Sequence, residues 1–370
     1  MMNPIEYFLE MLEIPSASGK EHRFSIFLME SMKNLGYEVK QDEAGNVIGK
    51  IGKGEPMLLF SSHIDTVPGE IPIREENGRI YGRGAVDAKA SIASMILAGS
   101  FLPEMNVNGT VIFAGLVEEE SSLRGIQTLL EGDLGADWAI FGEPTKCDRI
   151  CLASKGRLLF KINLKTEGGH VACSWAYKNS IELAYKLWKK FKENVEAHEK
   201  TPFFSTVTNL TQISGGSAPN VVPGDCQLFI DVRFPHLVKS TKLLGIIEKT
   251  FNEFKEMNEV QISYEVLSQI EGFRAPKDSI LVKELAKAIR EVRNIDPRYI
   301  RKTGTCFMNL IGPWRNIPTI SYGPGDPALE HTNDEHIEKQ EYLDSLEILK
   351  KTIKNILSKK NTEHEVPNTL

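Results

Sequence analysis

The sequence predicts an α/β fold: a mixed, mostly parallel sheet with helices on both faces, plus an inserted ferredoxin-like unit of order βαββαβ. Three observations predict it. Strand and helix patterns alternate over the first 155 residues, as a largely parallel sheet requires. Four short apolar runs have the texture of strands buried on both faces. From residue 157 to 267 the order becomes βαββαβ, the arrangement of a split β-α-β unit.

The elements follow in order. Residues 1–16 read as a short helix beginning after Pro4. A second helix runs from Glu21 to about Leu35. Glu43-Ala44-Gly45-Asn46 carries the turn residues of a hairpin between apolar runs. Residues 57–62 (MLLFSS) form a buried strand, 88–102 a helix, 111–117 (VIFAGLV) a second buried strand, 123–130 a helix and 138–141 a third strand. In the insertion, 157–167 is a strand with one polar face. A helix (180–191), two strands (206–213 and 226–233), a helix (240–254) and a strand (260–267) follow. Helical and strand patterns resume at Ser279. Residues 317–322 (IPTISY) are the fourth buried strand and 338–357 a long amphipathic helix. The last dozen residues, KKNTEHEVPNTL, are polar and read as loose.

Size and composition agree with this plan. The chain has 370 residues, more than one core usually holds. The expected division is 1–156, 157–267 and 268–370, the first and last forming one domain around the insertion. The net charge of -6 argues against a nucleic-acid partner. No run approaches the ~20 apolar residues that span a bilayer. The N-terminus has no basic segment before its apolar stretch, so it does not read as a signal peptide. The cysteines number five, scattered and odd, which fits a reducing, cytoplasmic setting better than a disulfide framework.

Chemistry-bearing residues sit where the predicted strands end. His63 and Asp65 follow 57–62. Glu118-Glu119-Glu120 follows 111–117, Glu143 follows 138–141, and His331 lies beyond 317–322 and the loop GPGDP. Open α/β sheets gather ligands at the carboxyl ends of their strands. Each residue also has an ordinary reading. His63 could be a loop histidine beside a polar neighbour. Asp87, after Gly82-Arg83-Gly84-Ala85-Val86, could cap the next helix. The three glutamates could open a solvated helix. Their coincidence at four strand ends suggests instead a metal site. Imidazole and carboxylate ligands without thiolate suit zinc, cobalt or manganese.

The motifs SSHIDTVP, GRGAVDAK, EEE followed five residues on by Gly125, FGEPT, GGHVACS, APNVVPGD…DVR and EHTNDE occur in that order over nearly the whole chain. Together they resemble the zinc metallohydrolase family of aminoacylases, acetylornithine deacetylase, succinyl-diaminopimelate desuccinylase and glutamate carboxypeptidases. The resemblance implies two divalent ions, zinc or cobalt. His63 and Glu143 would hold one ion, Glu120 and His331 the other, and Asp87 both. Asp65 would orient His63. Glu119 would be the general base, since the family's Glu-Glu pair precedes a glycine by five residues. The resemblance also implies that His170 reaches the active site of a partner subunit in a homodimer, and that Asn220 and Arg233 contact substrate.

GRGAVDAK and Arg301-Lys302-Thr303-Gly304-Thr305, followed by Met308-Asn309, look most like one branch of that family. The branch releases lysine or ornithine from an amino-group carrier protein. Gly304 and Thr305 then belong to the substrate site. Cys306-Phe307 departs from the family's usual small polar residue and Asp. Arg298, Arg301 and Lys302 are candidates for docking an acidic carrier. Within enzymes the alternative is an N-acetylornithine or N-acetyl-lysine deacetylase, or a dipeptidase. From another class, the alternative is a non-catalytic binding homologue, against which the intact ligand set argues.

Overall fold

A computed structural model describes residues 2–132 and 134–359. The tail read above as loose lies outside the described residues from position 360 on, and so does His364. The chain forms two compact units. The first comprises Met1–Leu152, Ala275–Ile300 and Leu310–Leu370; the second comprises Ala153–Arg274 and Arg301–Asn309.

The first unit is built on a mixed sheet. Its strands are β1 (Glu38–Gln41), β2 (Val47–Lys53), β3 (Met57–His63), β4 (Gly109–Leu116), β5 (Trp138–Phe141) and β6 (Arg149–Ser154), with β11 (Thr319–Ser321) later in the chain. They lie in the order β1-β2-β4-β3-β5-β11-β6. The centre, β4-β3-β5-β11, is parallel. The hairpin β1–β2 continues it antiparallel on one side, and β6 runs antiparallel to β11 on the other. Every residue of β4 and β5 is buried, as is all of β3 after Met57. Strands covered on both faces need such unbroken apolar runs, which is why the sequence shows them.

The helices are amphipathic or wholly buried according to their place. Pro4 opens α1 (Pro4–Leu12), and the Asn3 side chain caps it by accepting from the Ile5 N–H. The next helix, α2 (His22–Asn34), packs on the hairpin. The helix α3 (Lys89–Ser100) is buried from Lys89 to Gly99, and α4 (Arg124–Glu131) follows β4 in the chain. The alanines, serines and glycine of α3 keep it slim enough to lie between α1, the long C-terminal helix Lys339–Leu357 and the strands β3 and β4. Ile280–Arg293, capped by Ser279, packs on the same C-terminal helix.

The second unit has the βαββαβ order. Its strands are β7 (Gly156–Lys165), β8 (Val207–Gly215), β9 (Asp225–Phe234) and β10 (Gln261–Ile270); its helices are α5 (Ser180–Val195) and α6 (Ser240–Asn258). The antiparallel sheet runs β8-β9-β7-β10. Burial along β7 alternates strictly, and Leu158, Phe160 and Ile162 face Val232, Ile230 and Leu228 of β9 in register. These residues form one core with Leu187 and Phe191 of α5 and Ile247 and Phe251 of α6. Burying each such side chain stabilises the unit by roughly 1.5–3 kcal/mol.

The expected domain bounds need correction. The second unit begins at Ala153 rather than 157, ends at Arg274 rather than 267, and takes in Arg301–Asn309. Hydrogen bonds draw that last segment in. Thr305 Oγ1 donates to the Lys155 carbonyl at 2.7 Å, and Asn309 Nδ2 donates to the carbonyls of Lys155 and Glu271 at 3.1 and 2.7 Å. Such long-range pairing leaves no periodic trace in the sequence.

Candidate metal centre

His63, Asp65, Asp87, Glu119, Glu120, Glu143 and His331 all belong to the first unit. His63 is the last residue of β3 and is 1% exposed. Its Nδ1–H donates to the Asp65 backbone carbonyl at 2.9 Å. That bond fixes the tautomer and leaves Nε2 facing Asp87 Oδ1, also at 2.9 Å. The other Asp87 oxygen, Oδ2, lies 3.1 Å from His331 Nε2, which is 2.8 Å from Glu120 Oε1. Asp87 therefore stands between the two histidines with one oxygen toward each.

The ordinary readings of these residues do not fit the geometry. The cap position of α3 is Ala88, with no side-chain cap bond, so Asp87 is not a helix cap. The helix after the three glutamates starts only at Arg124, so they do not fill its first turn. The peptide between Asp87 and Ala88 is cis.

Local sequence explains how the loops reach these positions. Gly84 has φ +84°, and a Cβ there would approach Thr66 Cγ2 to 2.9 Å. Only glycine lets the loop pass so close. A Cβ on Gly125 would come within 2.4 Å of the Val117 carbonyl oxygen and 2.5 Å of Asn46 Oδ1. The Asn46 side chain ties the same two places, accepting from the Val117 N–H at 3.0 Å and donating to the Gly125 carbonyl at 2.8 Å. The glycine five residues after Glu120 thus lets the helix start fold back onto the end of β4.

Asp65 does more than the sequence suggested. Its carboxylate is 3.5 Å from His63 Nδ1, farther than its own backbone carbonyl. Its oxygens accept instead from the backbone N–H groups of Glu119 and Glu120, each at 3.0 Å, and from the Ser18 hydroxyl at 2.7 Å. Glu21 Oε1 accepts from the Glu118 N–H at 3.1 Å. Three consecutive N–H groups of the acidic segment are held by two carboxylates. Glu118 itself turns away, at φ +58°, and pairs with Arg124 at 2.6 Å.

Sequence reasoning missed several supporting residues. Glu21 was read only as the start of a helix, and Ser18 lies between the two predicted helices, where nothing was assigned. Lys89 was quoted only within a motif, yet it is buried and donates to the Met11 and Ile14 carbonyls at 3.0 and 2.6 Å. Burial pulls its pKa down to about 7. Glu335, 1% exposed, accepts from the N–H groups of Val86 and Asp87.

The electrostatics are those of a site short of positive charge. Burial raises Glu119 to about 8; His63 offsets part of this, and the charges of Glu143, Glu120 and Asp87 add to it. Burial, then Asp87, also raises Glu120. Hydrogen bonding to Asp87 leads the causes that lift His331 to about 9, against partial desolvation. Desolvation lowers His63, but Asp87 and Asp65 outweigh it and the net direction is up. A divalent cation would relieve this crowding. The donor set fits one: His63, Asp87 and Glu120 each offer a ligand atom, all within 4.8 Å of one another. Glu143 is 8% exposed and follows β5; its charge is felt at Glu119, but it stands outside that tightest group.

The remaining predicted catalytic and substrate-binding residues lie in the second unit, while the docking candidate Arg298 lies in the first. His170 and Asn220 are brought together: Gly169–His170 pairs with Val221–Val222, and the Val171 N–H donates to the Asn220 carbonyl at 3.1 Å. His170 is exposed. Arg233 makes the ion pair expected of a strand-end arginine, with Asp231 at 2.6 Å, and also donates to Thr305 Oγ1 at 3.1 Å. Gly304 is exposed, with open space where a side chain would stand. Cys306 and Phe307 are 6% and 1% exposed, so the residues that depart from the family pattern serve the core. Among the described residues, no helix is long and apolar enough to cross a membrane.

Comparison with known proteins identifies the family. The sequence model of peptidase family M20/M25/M40 matches residues 59–355. A LysW-lysine/LysW-ornithine hydrolase of Sulfurisphaera tokodaii is 31% identical over 359 residues, covering 96% of each chain. A LysW-lysine hydrolase of Deinococcus radiodurans is 30% identical, covering 91% of this chain and 92% of its own. The crystal structure of an M20 family metallo-carboxypeptidase from Sulfolobus solfataricus superposes with a TM-score of 0.82 at 19% identity, covering 96% of this chain and all of that one. That last likeness speaks for the fold alone. The match spans most of the sequence and includes the strand ends that gather the histidines and acids, and the chain therefore belongs to peptidase family M20/M25/M40, as an amide-bond hydrolase.

Proposed function

We propose that this enzyme releases lysine or ornithine from an amino-group carrier protein of the LysW kind, by hydrolysing the amide that links them. The observation that carries the chemistry is Asp87, placed with one oxygen toward each histidine beside a buried Glu119. The choice of substrate is supported by full-length relatives at about 30% identity that bear that activity in their names. A place in cytoplasmic lysine biosynthesis, and in arginine biosynthesis where ornithine is the product, follows from the same reading.

His63 and Glu143 would hold one divalent ion, Glu120 and His331 the other, and Asp87 both; zinc suits the donors best and cobalt next. When bound, the ions polarise the scissile carbonyl and acidify the attacking water. The Asp65 carbonyl keeps the His63 tautomer that presents Nε2. The Asp65 carboxylate holds Glu119 and Glu120 by their backbones. Glu119 takes the proton from water and returns it to the leaving amine. Asn220 and Arg233 would contact the substrate near its carbonyl or carboxylate, with Gly304 and Thr305 also in the substrate site. The exposed Arg298 and Arg301 would meet the acidic carrier.

The test is a side-by-side assay with carrier-lysine, carrier-ornithine and N-acetylornithine. Carrier-linked substrates should be preferred by at least roughly tenfold in kcat/KM, about 1.4 kcal/mol of transition-state binding. Equal or faster turnover of N-acetylornithine would instead favour the deacetylase reading.

A homodimer, with His170 completing the partner subunit's site, is the further part of this reading. His170→Ala should lower turnover by roughly 10²–10³-fold, the effect of losing one oxyanion donor, with metal content unchanged. Unaffected turnover, or a solution mass of one subunit, would sink it.

A further inference from the structure

Glu335 is a buried carboxylate with no part in the chemistry just described. Its Oε1 accepts from the backbone N–H groups of Val86 and Asp87, at 2.9 and 3.1 Å. Its Oε2 accepts from Arg83 Nη1 at 2.8 Å, and the same Nη1 donates to the Thr332 carbonyl at 3.2 Å. The Glu335 backbone carbonyl receives the Gly82 N–H at 3.3 Å. One residue, four places after His331, therefore grips the loop 82–87 at both of its ends.

The charges of this contact are nearly sealed from water. The side chains of Glu335 and Arg83 are 1% and 13% exposed. A buried carboxylate is costly unless it is paired and its lone pairs are used. Here the guanidinium pairs it, and two backbone N–H groups use the remaining oxygen. Such charge-assisted bonds are roughly twice as strong as neutral ones. The loops they join carry Asp87 and His331, whose side chains meet at 3.1 Å. A metal site tolerates only ~0.5 Å of error in its ligands.

We infer that Glu335, with Arg83, is a positioning residue that sets the separation of Asp87 and His331 and so governs metal affinity. It touches neither substrate nor ion. The inference rests on the reading of Asp87 and His331 as metal ligands.

The experiment compares wild type with Glu335→Ala, Glu335→Gln and Arg83→Met. Zinc affinity is measured by competition with a chelating dye, and urea unfolding is followed separately in EDTA. Glu335→Ala should bind zinc roughly 10–100-fold more weakly, the usual effect of losing a group that supports a ligand. Glu335→Gln keeps the volume and one acceptor oxygen but sets an amide donor against Arg83; it and Arg83→Met should lose affinity in the same direction, by less. If Glu335→Ala does not fold, these two variants decide. Wild-type zinc affinity in the folded variants overturns the inference, including the case where only urea stability falls, since that assigns Glu335 to the fold alone. A wild-type protein that binds no zinc overturns the metal-site reading itself, so the two failures are distinguishable.

Discussion

Replacing Glu119 with glutamine should lower turnover by roughly 10²–10⁴-fold, the range general acid–base groups supply, and leave the metal content unchanged. The side chain keeps its size and loses only the capacity to accept and return a proton. Its backbone stays in place, because Asp65 holds the Glu119 N–H at 3.0 Å whatever side chain follows. The matched control is Glu118→Gln. Glu118 faces Arg124 and Ser122, away from the cluster, so that change should leave turnover within about twofold. The pair of variants settles which two of the three adjacent glutamates carry the chemistry. Single-turnover rates and elemental analysis on the same samples are the measurement. Full activity in Glu119→Gln, or a large loss in Glu118→Gln, would reverse the register.

The strand ends were the most legible part of this protein, for a physical reason. A strand buried on both faces must be apolar throughout, so a histidine or acid at its end stands out against it, as His63 does after MLLFSS. The second unit was legible too, since alternation along β7 exposes its half-buried sheet. What stayed hidden was everything that depends on long-range pairing of short or polar segments. Arg74–Glu76, Arg79–Tyr81 and His336–Glu338 form a small antiparallel sheet, and no periodicity of their own announces it. Strand β6 went unread, because its role as neighbour of β11 is set by a contact far away in the chain.

The supporting residues of the site were hidden in the same way. Glu335 is one of several acids in EHTNDE, and only the structure separates it from its exposed neighbour Asp334. Glu21 looked like a helix start and proves to hold the Glu118 N–H as well. Asp65 was read as the partner of an imidazole, and its carboxylate also anchors the loop of Glu119 and Glu120. In each case the residue type was visible, but its partner lay between 54 and 252 residues away in the chain.

The second large effect is expected at Asp87. The two histidines and Glu120 each touch one side of the cluster, while the two oxygens of Asp87 face His63 at 2.9 Å and His331 at 3.1 Å. A residue placed between both halves cannot be removed without loosening both. Removing His63 or His331 should cost one ion and spare part of the other. Asp87→Ala should cost both, with zinc affinity down by more than the roughly 100-fold that marks the upper end for merely supporting groups and turnover below detection. Asp87→Asn sharpens the point. It keeps the shape and one oxygen but withdraws a negative charge from the set proposed to balance two dications, so it too should bind less metal, though more than the alanine variant. Folding is the control: among the described residues Asp87 lies on the loop before α3, and the helix behind it is held by Lys89 through the Met11 and Ile14 carbonyls. The metal-free variants should therefore still fold, losing roughly 1–3 kcal/mol against metal-free wild type for the buried His63 contact given up. An Asp87→Ala protein that still carries two tightly bound ions would show that the aspartate does not bridge, and the pairing of His63 with Glu143 and of His331 with Glu120 would have to be drawn again.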